Sequence, residues 1–214
     1  MTTATLPLPP RKRPANDGRV VIVGVDWPDY KRIADAISSR QVHVTYTEGV
    51  LEIMTVSAEH GAAKHRVALL CEDFAFERGV PYVGLGSTTF RDERLRKAAE
   101  PDECYYFANN GKVRGRKRID LRRDPPPDLV IEVNISYHEV DRERIYADLG
   151  VPELWRCDGR SVEALHLRRG QWVSATHSLS LPGLRVADLG RFLRMRADDL
   201  TVRRAFRDWI RSRS

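Results

Sequence analysis

Cysteine is scarce in this chain of 214 residues: Cys71, Cys104 and Cys157 are the only three, and no two share a C-x-x-C spacing. An odd, scattered set supports neither a disulfide framework nor a thiolate metal site. Long apolar runs are missing too, since no stretch approaches the roughly 18 residues that a membrane-spanning helix needs. There is no Gly-rich phosphate loop, no G-x-G-x-x-G turn, no G-x-S-x-G elbow and no H-E-x-x-H helix. Nucleotide hydrolysis, Rossmann redox chemistry and serine hydrolysis therefore find no support. The opening residues, MTTATLPLPPRKRPANDG, set Leu6 and Leu8 among prolines and ahead of a basic run, the reverse of a secretory leader. The expectation is a cytoplasmic protein with a disordered basic arm over residues 1–18 and a single domain over 19–214.

What is present is a moderate positive balance, +6, on a chain that is 42% apolar. That suits one globular core and a polyanionic partner such as nucleic acid, although many soluble enzymes carry as much charge. The cations are unevenly spread. Lys112, Arg114, Arg116, Lys117, Arg118, Arg122 and Arg123 crowd one polar segment, and RRAFRDWIRSRS ends the chain. Each cluster is either a nucleic-acid surface or a solvated face.

Periodicity divides the chain into alternating elements. Tyr30, Ile33, Ala34 and Ile37 follow helical spacing within Trp27 to Arg40. Val42, Val44 and Tyr46, then Val50 to Met54, flank Glu48-Gly49 as a β-hairpin. Ser57 caps a helix with Ala63, Val67, Leu70 and Phe74 on one face, ended by Gly79. Strands are expected at Tyr82-Val83, Thr88 to Phe90, Cys104 to Phe107 and Leu129 to Val133, with the basic segment joining the last two as a long connection. Val140, Ile145, Tyr146 and Leu149 share a further helix. Strands near Leu154-Trp155, Val162 to Leu167 and Gln171 to Ser174 follow, and a helix from about Asp198 to Arg211 closes the pattern. This order belongs to an α/β or α+β layer, not a bundle.

Acidic residues at the ends of apolar strands carry the chemical signal. Asp102 precedes Glu103-Cys104-Tyr105-Tyr106, and Glu132 lies inside Leu129-Val130-Ile131-Glu132-Val133. A carboxylate in so apolar a strand must be hydrogen-bonded, paired or bound to a cation. If the two strands pair, Asp102 and Glu132 come close enough to share one divalent ion, and oxygen donors select Mg²⁺ or Mn²⁺ over Zn²⁺. Such an ion polarises a phosphodiester and supplies hydroxide for in-line attack. The other reading is structural pairing of these acids with arginines. Glu52, alternating with apolar neighbours, reads as solvent-facing. His43, His65, His138, His166 and His177 share no spacing that suggests a site.

Three segments together resemble the Uma family of restriction-endonuclease-like proteins: Pro101-Asp102-Glu-Cys-Tyr-Tyr, Pro127-Asp-Leu-Val-Ile-Glu132-Val, and Ile145-Tyr146-Ala-Asp-Leu-Gly-Val-Pro-Glu-Leu-Trp155. Tyr-Thr-Glu48-Gly49-Val-Leu-Glu52, Glu59-His60, Gly86-Ser87-Thr-Thr89-Phe90-Arg91 and Leu181-Pro182-Gly183-Leu184 extend the likeness over about residues 27–210. The resemblance implies an α/β (α+β-like) fold with a restriction-endonuclease-like core, a mixed central β-sheet flanked by helices, of the PD-(D/E)XK superfamily. It implies Asp102 and Glu132 as ligands of Mg²⁺ or Mn²⁺, and DNA as substrate. The nearer pair Asp128 and Glu132 also spells P-D-x-x-x-E, but Asp128 lies beside three prolines and reads as a solvated turn carboxylate. The lysine implied two positions after the acid is Asn134 here, and the displaced lysine of the Uma-like branch is Arg142. Lysine can shed a proton toward an attacking water, whereas arginine stays charged and only orients it or stabilises phosphate. Glu59 and His60, in the first turn of their helix, are further candidates for metal contact and proton transfer. Lys112, Arg114, Arg116, Lys117 and Arg118 are the expected backbone contacts. Two readings follow: a Mg²⁺-dependent endonuclease weakened by loss of its lysine, or an inactive nucleic-acid-binding or protein-interaction module on the same scaffold. Cutting both strands calls for two sites, hence a homodimer joined at a free strand edge.

Overall fold

The structure, a computed structural model, describes residues 18–37, 42–133 and 140–213. Most of the expected arm (residues 1–17), Asn134 and His138 lie outside the described residues. In chain order the elements begin with β1 (Gly18–Val23), α1 (Trp27–Ile37), β2 (His43–Thr47), β3 (Val50–Thr55), α2 (Ala58–Glu77), β4 (Val83–Gly84), β5 (Phe90–Asp92) and β6 (Lys97–Ala99). Then come β7 (Glu103–Tyr106), α3 (Asn110–Val113), β8 (Leu129–Val133), α4 (Arg142–Asp148), β9 (Glu153–Cys157), β10 (Val162–Arg168), β11 (Gln171–Ala175), α5 (Leu189–Leu193) and α6 (Asp199–Arg211). None of the described helices is long and apolar enough to cross a membrane.

The strands form two sheets. One has five antiparallel strands in the order β1-β3-β2-β6-β5, and the other has six in the order β11-β10-β9-β8-β7-β4. The second sheet is mixed: β8 and β9 run parallel, and every other pair is antiparallel. A parallel pair needs a crossover, and α4 lies in the connection between β8 and β9. All five residues of β8 are buried, as expected for a strand covered on both faces.

Local chemistry explains the element ends. The β2–β3 hairpin turns on Glu48 at φ 48° and Gly49 at φ 87°, the two left-handed residues that match strand twist in a two-residue loop. Ser57 caps α2 by accepting the His60 N–H at 3.2 Å. Asp198 caps α6 by accepting the Thr201 N–H at 2.9 Å.

Three apolar clusters hold the layers. Val67, Leu70 and Phe74 of α2 pack with Leu129, Ile131, Val133 and Trp155 of the second sheet, under Phe192 of α5 and Phe206 of α6. On the opposite face, Cys104, Tyr106, Val130 and Leu154 meet Ile145 and Tyr146 of α4. Trp27, Tyr30 and Ala34 of α1 cover Val44, Tyr46 and Leu51 of the first sheet. The α2–α6 contact is also pinned by Arg203, which donates to both oxygens of Asp73 at 2.8 and 2.7 Å.

Four elements have no counterpart in the periodicity: β1, β6, α3 and α5. In β1, Val20, Val21, Ile22 and Val23 are 56, 38, 39 and 77% exposed. An edge strand exposed on both faces imposes no alternation that a sequence pattern would reveal. β6 and α3 span only three and four residues, too short for a period.

Phe206 is fully buried and packs against Phe192 and Trp209 with ring centroids 4.8 and 5.6 Å away. Phe206→Ala is therefore expected to cost about 3–5 kcal/mol, read as a lowered urea midpoint with an unchanged slope.

Candidate active site

The β7–β8 register sets Glu103 opposite Ile131 and Cys104 opposite Val130. One step earlier, Asp102 comes level with Glu132. The two acids thus meet at the open end of the hairpin, and both are buried. Buried carboxylates need partners, and each oxygen has one. Asp102 Oδ1 accepts from His60 Nε2 at 2.9 Å and Oδ2 from the Val133 N–H at 2.7 Å. Glu132 Oε2 accepts from Arg142 Nη1 at 2.6 Å, and Oε1 accepts from the Tyr146 hydroxyl.

Arg142 reaches further than this pair. Its Nε donates to Thr45 Oγ1 of β2 at 3.1 Å, and Nη2 donates to the Glu100 carbonyl at 3.3 Å. One buried guanidinium therefore ties α4 to both sheets. Burial opposes its charge, but Glu132, Tyr146, Asp102 and Glu52 together raise its pKa above the ordinary value. Burial and the Glu132 charge hold the Tyr146 hydroxyl protonated, well above the usual phenol range. At Asp102, burial favours the neutral acid, yet the His60 hydrogen bond, Arg142 and the Val133 N–H outweigh it and lower the pKa.

Two further residues of the first sheet join the cluster. His43 is buried, with Nδ1 3.8 Å from Asp102 Oδ1. Desolvation lowers its pKa against the opposing pull of Asp102, so the ring is neutral at pH 7. Glu52 corrects the solvent-facing expectation: it is 1% exposed and lies opposite Thr45, with Oε2 3.3 Å from Arg19 Nε. Its sequence signal is the one that marks Glu132, an acid inside an apolar strand. His43 offers none, because its proximity to Asp102 spans the two sheets.

Other candidates sit elsewhere. Glu59 is exposed and lines a groove with Ala62, Ala63 and Arg160. Asp128 immediately precedes β8, four residues and about 13 Å of extended chain from Glu132. It is buried, not solvated, and accepts the Phe107 and Asn109 N–H groups at 2.8 and 2.9 Å, which fixes the start of the basic connection. Lys112, Arg114, Arg116, Lys117 and Arg118 are all exposed. They lie beyond the closed end of the β7–β8 hairpin, with Phe107 already five residues, or about 16 Å of strand, from Asp102. The basic segment and the acids occupy opposite ends of the sheet.

Known proteins share this architecture. The family model described as "Uma2: Putative restriction endonuclease" matches residues 27–201. No curated protein matches the chain. The fold is similar to the crystal structure of a "putative nuclease belonging to DUF820" from Anabaena variabilis, with TM-score 0.51 and 12% identity, covering 70% of this chain and 90% of that one.

Two outcomes follow from the buried network. Arg142→Ala removes the buried guanidinium that pairs with Glu132 and is expected to cost about 3–5 kcal/mol, whereas Glu132→Leu with Arg142→Met costs less than the single change. Urea unfolding of the three proteins checks this. The stability contributed by ionised Asp102 is fully present above the ordinary carboxyl value of 3.8 and is lost as pH falls through its lowered value. Asp102→Asn should therefore flatten the acid limb of a stability-versus-pH curve measured between about pH 7 and pH 2.

Proposed function

The chain belongs to the Uma2 family, and from that premise we propose that it is a divalent-metal-dependent endonuclease acting on the phosphodiester backbone of DNA, with Asp102 and Glu132 as metal ligands. The observation that carries this reading is the meeting of two buried carboxylates at neighbouring strand ends. Their oxygens are hard donors of the kind Mg²⁺ or Mn²⁺ prefers, and the donor chemistry fits such an ion. Among the described residues no three His, Cys, Asp or Glu side chains group into a cage. Water and substrate phosphate would complete the shell, as is usual for Mg²⁺. The chemistry supplied by a bound ion is polarisation of the phosphoryl group and generation of hydroxide.

The chain's own residues prepare this site. His60 and the Val133 N–H orient Asp102 and keep it negative. Arg142 pairs with Glu132 and offers positive charge to a phosphate, but it cannot take a proton from water. His43, kept neutral by burial beside Asp102, is a group able to accept one. Glu59 stands outside this set. The exposed cations Lys112, Arg114, Arg116, Lys117 and Arg118 support a second backbone contact, remote from the acids. A homodimer would supply two sites for cutting both strands, and the apolar outer edge of β1 is the surface suited to join a second copy.

One observation favours a second reading. Arg142 and Tyr146 take both Glu132 oxygens, an arrangement that also suits a binding module without chemistry. A plasmid-nicking assay in Mg²⁺ or Mn²⁺ separates the two. The enzyme reading expects nicking by the wild type, lost in Glu132→Ala and increased in Arg142→Lys. Nicking by Arg142→Lys alone identifies a scaffold that arginine silenced, and none by either protein contradicts the enzyme reading.

A further inference from the structure

The acid end of the second sheet carries its own cations, and they do not belong to the 112–118 segment. Because β9 runs parallel to β8, with Glu132 level with Arg156 and Val133 with Cys157, the turn that follows β9 lies at the same end as the acids. That turn is Asp158-Gly159-Arg160-Ser161. Asp158 is spent within it, accepting the Arg160 and Ser161 N–H groups at 2.8 and 2.6 Å. Arg160 projects into solvent. Its carbonyl accepts from Arg194 Nη1 at 2.9 Å, which binds the turn to the end of α5.

Close approach makes this junction possible. A Cβ on Gly190 would lie 3.1 Å from the Arg160 carbonyl oxygen and 3.0 Å from Arg194 Nη1, so a side chain there would push the turn and α5 apart. Arg196 is fixed by a separate device. Arg66 of α2 donates to the Met195 and Ala197 carbonyls at 3.1 and 3.0 Å and pairs with Asp199 at 2.9 Å. The flanking backbone is thereby pinned, and Arg196 is exposed. Neither Arg160 nor Arg196 has a carboxylate within salt-bridge distance among the described residues, unlike Arg203, Arg207 and Arg211, which pair with Asp73 or Glu77. Between the turn and α2 runs a groove of about 270 Å³, and its Glu59 wall adjoins His60, the partner of Asp102.

We propose that this surface, with Arg160, Arg194 and Arg196 as phosphate contacts, is where the DNA backbone enters the acid site. Guanidinium groups suit phosphate oxygens through paired donors, and those of Arg160 and Arg196 are committed to no salt bridge among the described residues, while Glu59 and Asp158 also line the groove. The inference rests on the endonuclease reading for the identity of the polymer, but not for its test.

The test is fluorescence anisotropy of a labelled DNA duplex with the full chain, in EDTA and across a series of KCl concentrations. Arg160→Gln with Arg196→Gln is expected to weaken binding about tenfold or more and to make the slope of log K against log salt shallower by about 1.8, at about 0.9 for each phosphate no longer neutralised. Arg116→Gln with Lys117→Gln and Arg118→Gln is expected to change both less. Wild-type affinity and slope in the Arg160/Arg196 variant would overturn the proposal, and so would a wild type that does not bind DNA. A chain that binds through these arginines and fails to nick plasmid leaves this surface standing and removes only the catalytic reading.

Discussion

The buried ion pair between Arg142 and Glu132 is the interaction on which the two halves of the fold depend. Neither charge would survive alone in so apolar a setting, because each loses several kcal/mol of hydration. Arg142 resolves this by using three of its nitrogens on three different elements: Glu132 of the second sheet, Thr45 of the first, and the Glu100 carbonyl in the link between β6 and β7. Tyr146, one helical turn along α4, satisfies the other Glu132 oxygen. The crossover helix is thus anchored by the same residues that fill its buried face. Apolar packing on both sides of β8 supplies bulk stability, while the guanidinium fixes how the sheets meet.

That constraint shapes the chemistry available. Arg142 pairs with Glu132, and the His60 hydrogen bond, together with the Arg142 charge and the Val133 N–H, draws Asp102 below its ordinary pKa against the opposing effect of burial. The same arginine competes with any ion for Glu132. Lysine at this position would give up the pair more readily and could act on water, so under the endonuclease reading proposed above residue 142 serves both the fold and the reaction. The charge layout of the surface follows the sheet topology. One set of cations lies past the closed end of the β7–β8 hairpin, and Arg160, in the turn after β9, lies at the acid end of the sheet because β9 is parallel to β8.

The sequence is readable wherever a local rule applies. Glu48-Gly49 announces its hairpin, Ser57 and Gly79 bound α2, and the unbroken apolar run of β8 matches its complete burial. The meeting of Asp102 and Glu132 follows from one pairing of neighbouring strands. Long-range relations are opaque. His43 and Glu52 join the cluster through sheet-to-sheet packing that no spacing encodes, and the alternation around Glu52 points to the wrong face because polar and apolar neighbours there fit either orientation. Asp128, which reads as a solvated turn acid, is buried and held by three N–H donors of Phe107 and Asn109, just after β7. β1 has no signature since an exposed edge strand shows no alternation.

Under the proposed function, Asp102 and Glu132 bind a divalent ion despite the arginine between the sheets. Mn²⁺ titration by calorimetry, on the wild type and on Glu132→Ala with a non-cleavable DNA duplex present, tests it without reference to turnover. The expected result is saturable binding by the wild type that disappears in the variant. Absence of binding in both, or equal binding in both, would contradict it.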